Sequence, residues 1–313
     1  MQVNGKKIAV LATGGTIAGR AEAAHDNIGY TAAQMGVQEL LAAIPALASL
    51  PLIAEQVAQI DSKDMSYEIW RTLALRCAHW LAQDDVGGVV ITHGTDTLEE
   101  TAYFLHAVLA PAKPVVLTCA MRPATALVPD GPQNLLDAIA VARAAGAHGV
   151  VAVCAGTVHG APDVAKQHTY RLDAFTSGDA GPIGYVEEGR LRRLRDWPAA
   201  DPGAARAFGN FTAGQRWPRV EIIMNHAGAG AAIVQALVDQ GVDGLVVAGT
   251  GNGSVRRELE EALRQAQARG VKVVRSTRCP QGPVLARPDD TLPGAGHLSP
   301  VKARIALMLE LLG

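Results

Sequence analysis

Short apolar runs recur along this chain, each closed by a polar or glycine-rich cluster and followed by a helical pattern. Lys7–Thr13 reads as a buried strand, and Ile53–Ile60, Val86–Ile91, Val115–Thr118 and Val150–Val153 read as further strands. Thr31–Ala43, Tyr67–Ala82, Leu98–Leu109 and Asn134–Ala145 read as the helices between them. A strand without polar alternation is buried on both faces. Helices between such strands are the crossovers that cover those faces. The pattern therefore predicts an α/β fold, a mostly parallel sheet flanked by helices.

Gly160–Leu194 departs from this rhythm. It is rich in Gly and charged residues and predicts a β-hairpin closing the first domain. Arg195–Pro218 then concentrates breakers: Trp197-Pro198, Asp201-Pro202-Gly203, Gly209-Asn210 and Trp217-Pro218. That density marks a linker. Strands resume at Val220–Met224, Leu245–Ala248 and Val271–Val274, with helices at Ala231–Asp239, Val255–Arg269 and Val301–Leu312. The expected organisation is a larger N-terminal α/β domain over 1–194, a linker over 195–218 and a smaller C-terminal α/β domain over 219–313. With 313 residues and 49% hydrophobic content, two cores need no staples.

Composition narrows the function. A net charge of −2 leaves no basic excess for a nucleic-acid partner. No apolar run reaches the roughly 18 residues of a membrane span. Cys77, Cys119, Cys154 and Cys279 are far apart with no C-x-x-C, so neither a zinc site nor a disulfide framework is indicated. Cys119 and Cys154 lie in apolar runs and read as buried reduced thiols. The apolar stretch Ile8–Ala12 is too short for a signal-peptide core, so a cytoplasmic protein is expected.

In open α/β sheets ligands bind beyond the carboxyl ends of the strands. Four polar clusters lie there. Thr13-Gly-Gly-Thr-Ile-Ala-Gly19 follows the first strand. Gly14 and Gly15 allow positive φ, their N–H groups can form an oxyanion hole, and Thr16 presents a hydroxyl beside them. The spacing is not that of a dinucleotide or P-loop motif. Asp61-Ser-Lys-Asp64 follows the second strand. Its plainer reading is a loop capping the next helix, but Lys63 is one of only seven lysines against twenty-one arginines. Thr92-His-Gly-Thr-Asp-Thr97 follows the third. There Thr97 and Glu100 fit a capping box, which leaves Thr95 and Asp96 facing the pocket. His93 has no second ligand at metal spacing and reads as a hydrogen-bonded buried histidine. Asp163-Val-Ala-Lys166 supplies a lysine that, buried beside Thr95, can serve as a base.

These residues carry a resemblance. Leu11-Ala-Thr-Gly-Gly-Thr-Ile-Ala-Gly19 and Ile91-Thr-His-Gly-Thr-Asp-Thr-Leu-Glu-Glu-Thr-Ala-Tyr103 resemble the two signatures of bacterial L-asparaginases and glutaminase-asparaginases. Lys113-Pro-Val-Val, Ala120-Met-Arg-Pro, Asp130-Gly-Pro, Gly251-Asn-Gly and Lys302-Ala-Arg extend it across the chain. The resemblance implies a threonine amidohydrolase with no metal or cofactor. It implies Thr16 as nucleophile in a mobile loop, Tyr30 bonded to it, and Thr95, Asp96 and Lys166 as a triad. It implies Gly15, Ser62, Lys63, Thr95, Asp96, Asn252 and Ser254 around the substrate, with Ser62 and Asp96 on its α-carboxylate and α-amino groups. It further implies a homotetramer, a dimer of dimers, with each pocket at a subunit border.

Three positions depart from the family pattern. Lys63 replaces a glutamine, Ser254 replaces an asparagine, and the partner's glutamate has no clear counterpart near Asp289 and Asp290. The leading expectation is hydrolysis of L-asparagine, with L-glutamine as a further substrate. A related ω-amide or acyl compound with altered α-amino recognition is the alternative, because Lys63 would repel an ammonium. A non-catalytic amino-acid-binding protein is the reading from another class, and a dinucleotide-dependent dehydrogenase is the weakest.

Overall fold

The computed structural model describes residues 5–212 and 214–313, which divide into a unit ending at Ala205 and a unit starting at Arg206. In the first unit the order is β1 (Lys7–Gly14), α1 (Val37–Ala42), β2 (Leu52–Ile60), α2 (Tyr67–Leu81), β3 (Val86–Thr92), α3 (Leu98–Leu109), β4 (Val115–Thr118), α4 (Gly131–Ala142) and β5 (Val150–Cys154). Then come β6 (Thr157–Gly160), a short ladder of β7 (Ala165–Lys166) with β8 (Phe175–Thr176), β9 (Gly184–Glu187) and β10 (Arg190–Arg193). Eight of these strands form one sheet in the order β10-β9-β6-β5-β4-β3-β1-β2. The five from β2 to β5 are parallel, and β6, β9 and β10 extend them antiparallel.

Burial on both faces explains why β1, β3, β4 and β5 read as apolar runs, whereas the edge strand β2 is half-buried and carries Glu55, Gln56 and Gln59. On one face Val10, Val90, Val116 and Val151 pack against Leu40 of α1 and Leu135 and Ile139 of α4. On the other, Trp70 of α2 stacks on Phe104 of α3 with ring centroids 4.8 Å apart. The expected hairpin is β9–β10. Its two-residue turn, Glu188-Gly189, has both φ values positive, at 47° and 68°, which suits the strand twist. Cys119, just beyond β4, and Cys154, the last residue of β5, are buried free thiols with sulfurs 3.2 Å apart.

The helix expected over Thr31–Ala43 is shorter, starting only at Val37. Residues 31–35 use their donors elsewhere. Thr31 and Arg20 exchange two backbone hydrogen bonds of 2.9 Å, Ala33 N–H donates to Gly15 O, and the Gln34 and Met35 N–H groups both donate to Ala18 O. Ala33 sits at φ 57°, outside helical space. The segment is thus the second arm of the loop that follows β1.

A nine-residue helix, α5 (Ala204–Thr212), lies inside the breaker-rich segment and includes Gly209 and Asn210. In the second unit β11 (Val220–Met224), β12 (Gly244–Gly249) and β13 (Lys272–Thr277) form a parallel sheet in that order. It alternates with α6 (Ala232–Asp239), α7 (Arg257–Ala268) and α8 (Pro300–Leu311). Val234, Leu245, Val247, Leu259, Leu263 and Val273 form the core under α6 and α7.

Candidate active site

The parallel strands run in the order β2-β1-β3-β4-β5, so the chain's direction of progress across the sheet reverses between β1 and β3. At such a switch point the loops diverge and leave a crevice. The loops after β1, β2 and β3 carry Thr16, Ser62 and Thr95 there. They interlock at close range. A Cβ on Gly15, whose φ is 81°, would fall on Gly94 Cα, and a Cβ on Gly94 would fall on Ser62 Oγ. Thr13 Oγ1 adds a hydrogen bond of 3.0 Å to Thr92 O, tying the end of β1 to the end of β3.

Thr16 opens a 3-10 turn over Thr16–Ala18 and is 5% exposed. Its Oγ1 lies 2.5 Å from the Tyr30 hydroxyl. The Arg20–Thr31 pairing described above brings Tyr30 back to this position. The rest of the loop is held by its neighbour, with Ala124 N–H donating to Gly19 O and Leu127 N–H to Ala24 O. Gly15 N–H does not serve as the expected oxyanion donor, because it donates to Ile60 O at 2.9 Å.

Thr95 is 7% exposed and accepts a 2.8 Å hydrogen bond from Lys166 Nζ. The same ammonium lies 2.7 Å from Asp96 Oδ1. The β7–β8 ladder delivers Lys166 to this place, and its backbone N–H donates to Glu99 Oε1 at 3.3 Å. Thr95, Asp96 and Lys166, separated by up to 71 positions, therefore form one cluster. Chemically it pairs a hydroxyl with an amine that can hold or take its proton, and a carboxylate that steadies the charged form.

His93 is fully buried and bonded at both nitrogens, to Gly94 O at 2.7 Å and Thr101 Oγ1 at 2.9 Å. Burial lowers its pKa to about 4. The anticipated capping box is not formed. Thr97 makes no side-chain bond at the start of α3, and its hydroxyl donates instead to Ser62 O at 2.8 Å. Ser62 is 2% exposed, and its Oγ accepts from Asp96 N–H at 3.2 Å. In its own loop Asp61 is the capping residue, accepting from Lys63 N–H. Lys63 directs its ammonium to Asp61 Oδ2 at 2.8 Å. That bond, with the charges of Asp61, Asp64 and Asp96, raises the Lys63 pKa.

Asn252 and Ser254 belong to the second unit. The Asn252 amide is engaged there by Leu285, donating to its carbonyl at 3.1 Å and accepting from its N–H at 2.7 Å. Ser254 exchanges backbone hydrogen bonds with Thr250. Asp290 forms a nearly buried pair with Arg275 at 2.5 Å, so its carboxylate anchors its own loop. Among the described residues no group of three or more His, Cys, Asp or Glu side chains is arranged to hold a metal ion. Sequence reasoning missed Glu99 and the Thr97 contact. Glu99 left the weak signal of an acidic residue in the first turn of a helix. The Thr97 contact left none, because its partner is 35 positions away.

Comparison with known proteins bears on the whole chain. Residues 7–198 match the family described as Asparaginase, N-terminal, and residues 219–312 match the Glutaminase/Asparaginase C-terminal domain. L-asparaginase 2 of Escherichia coli strain K12 is 40% identical over 312 residues, covering 97% of this chain and 88% of the relative. Glutaminase-asparaginase of Pseudomonas fluorescens biotype A is 38% identical over 313 residues, covering 97% and 86%. The crystal structure of a probable cytoplasmic L-asparaginase from Campylobacter jejuni superposes with a TM-score of 0.90 at 37% identity, covering 98% of this chain and 95% of that one. With both halves matched and relatives of this identity aligned over nearly its full length, the chain belongs to the bacterial L-asparaginase and glutaminase-asparaginase family.

Proposed function

We propose that this protein hydrolyses L-asparagine to L-aspartate and ammonia, with L-glutamine as a second substrate, through an acyl-enzyme on Thr16. The observation that carries this reading is the Lys166–Thr95–Asp96 cluster at the sheet's switch point, in loops interlocked with the one that carries the Thr16–Tyr30 pair. A carboxamide is a poor electrophile, so the hydroxyl that attacks it needs help with its proton. Thr16 Oγ forms a bond to the amide carbon. Its proton passes toward the leaving nitrogen, the C–N bond breaks, and ammonia departs. Tyr30 and the Thr95–Lys166 pair are the groups at hand for that transfer. Water then attacks the ester, regenerating the Thr16 hydroxyl and releasing aspartate. Ser62 and Asp96 hold the α-carboxylate and α-amino groups.

The alternative of a substrate with altered α-amino recognition is not favoured. Relatives aligned over nearly the full length are named for asparagine and glutamine, and the Lys63 ammonium is paired with Asp61. The division into domains 1–194 and 219–313 joined by 195–218 is supported by family matches that end at 198 and resume at 219. We keep the cytoplasm as the compartment, on the description of the solved relative, with cell fractionation as its check. No helix among the described residues is long and apolar enough to cross a membrane.

Ammonia release from L-asparagine tests the mechanism. Thr16→Ala and Thr95→Ala should each lose about 10³-fold or more in kcat, as groups acting as one unit do. Amino-acid binding by the wild type with no turnover would overturn the reading in favour of a non-catalytic binder.

A further inference from the structure

Thr97 stands where a threonine ordinarily closes the first turn of a helix with its side chain, a bond typically worth keeping. Here that bond is not made. The hydroxyl reaches out of the helix to the Ser62 carbonyl at 2.8 Å. That carbonyl already accepts from Met65 N–H at 3.1 Å, so both of its lone pairs are used. One residue earlier, Asp96 N–H donates to Ser62 Oγ at 3.2 Å. Two donors on adjacent residues of the β3 loop thus grip two acceptors on one residue of the β2 loop. Gly94 makes the approach close enough, since any side chain there would collide with Ser62.

The consequence falls on the Ser62 hydroxyl. Because its oxygen accepts from Asp96 N–H, its own proton is left to be donated elsewhere. Ser62 is almost wholly buried, so its direction is set by these contacts and not by solvent. We propose that Thr97 is a positioning residue for substrate binding. Its hydroxyl locks the Ser62 loop onto the Asp96 loop, so that the two groups meant for the α-carboxylate and α-amino ends keep a constant separation. This deepens the reading above and rests on it for the identity of the ligand. The clamp itself rests only on the two hydrogen bonds. Thr97 touches no reacting atom, so its effect belongs in substrate affinity and not in the chemical step.

Two variants test this. Thr97→Val keeps the branched shape and removes the hydroxyl, whereas Thr97→Ser keeps the hydroxyl. For Thr97→Val, KM for L-asparagine should rise about five- to tenfold, the usual scale for one lost hydrogen bond, with kcat within about twofold. Thr97→Ser should return KM to within about twofold of wild type. Amide hydrogen exchange supplies a readout independent of turnover. The Asp96 amide should exchange faster in Thr97→Val than in wild type or Thr97→Ser, relative to the Val90 amide in the middle of β3. A wild-type KM in Thr97→Val, a fall in kcat as large as the expected rise in KM, or unchanged Asp96 exchange overturns the clamp. If the wild type releases no ammonia, the assigned reaction fails, and the exchange experiment alone decides the clamp.

Discussion

Within Thr92–Thr97, neighbouring residues have opposite tasks: His93 faces the core, while Thr95 and Asp96 meet Lys166. The tautomer of His93 follows from its partners. Gly94 O can only accept, so Nδ1 carries the proton and Nε2 accepts from the Thr101 hydroxyl. Thr101 in turn accepts from Trp70 Nε1 at 2.9 Å. This chain needs a neutral ring, and burial holds the His93 pKa near 4, below the ordinary 6.5. Between those values the unfolded chain binds a proton that the native ring refuses. The stability that His93 contributes is therefore complete above pH 6.5 and falls by about 3 kcal/mol as pH drops to 4. Urea unfolding across that range should show a steeper decline for wild type than for His93→Gln. Equal slopes would show that another group carries the dependence. The buried, bonded state of His93 was readable from the lack of a second ligand at metal spacing. Its partner Thr101 was readable only once α3 was seen beside β3.

Among elements, the loops at the strand ends depart furthest from local expectation. Most strands match their apolar runs to within a residue or two, with β13 running three residues further to Thr277, because in the inner strands burial on both faces imprints directly on composition. The segment after Tyr30 has helical periodicity, yet its N–H groups are claimed by Gly15, Ala18 and Arg20 carbonyls before a helix can form. That capture is what returns Tyr30 to Thr16. The interlock also rests on Gly15, whose φ of 81° and contact with Gly94 leave no space for a methyl group. Gly15→Ala should displace the Thr16 loop and lower kcat/KM at least about 10²-fold, since small misplacements of a reacting group are costly. Circular dichroism should stay near wild type, as only one loop moves. Full activity in that variant would mean that the loop reaches its working position by another route.

For the whole molecule, the parallel sheet of each unit places its strand ends on one side, and in the first unit the reversal of order between β1 and β3 selects where a ligand sits. A homotetramer with pockets at subunit borders, which the sequence resemblance implies, is the arrangement we propose for this chain. Four chains of 32.6 kDa should give about 130 kDa by light scattering at assay concentration. A mass near that of one chain, with full activity, would rule it out.

Local patterns sufficed for the kind and order of the main alternating strands and helices, though not for α5 or the β7–β8 ladder, and for the residue types Thr16, Thr95, Asp96 and Lys166 near strand ends, because periodicity and turn chemistry act over a few neighbouring positions. They could not say which donor meets which acceptor. Gly15 N–H to Ile60, Thr97 to Ser62, and Lys63 to Asp61 are outcomes of competition for hydrogen bonds. The first two are settled by how closely the three loops approach one another, and the third by the turn its own loop adopts; no short stretch of chain encodes either.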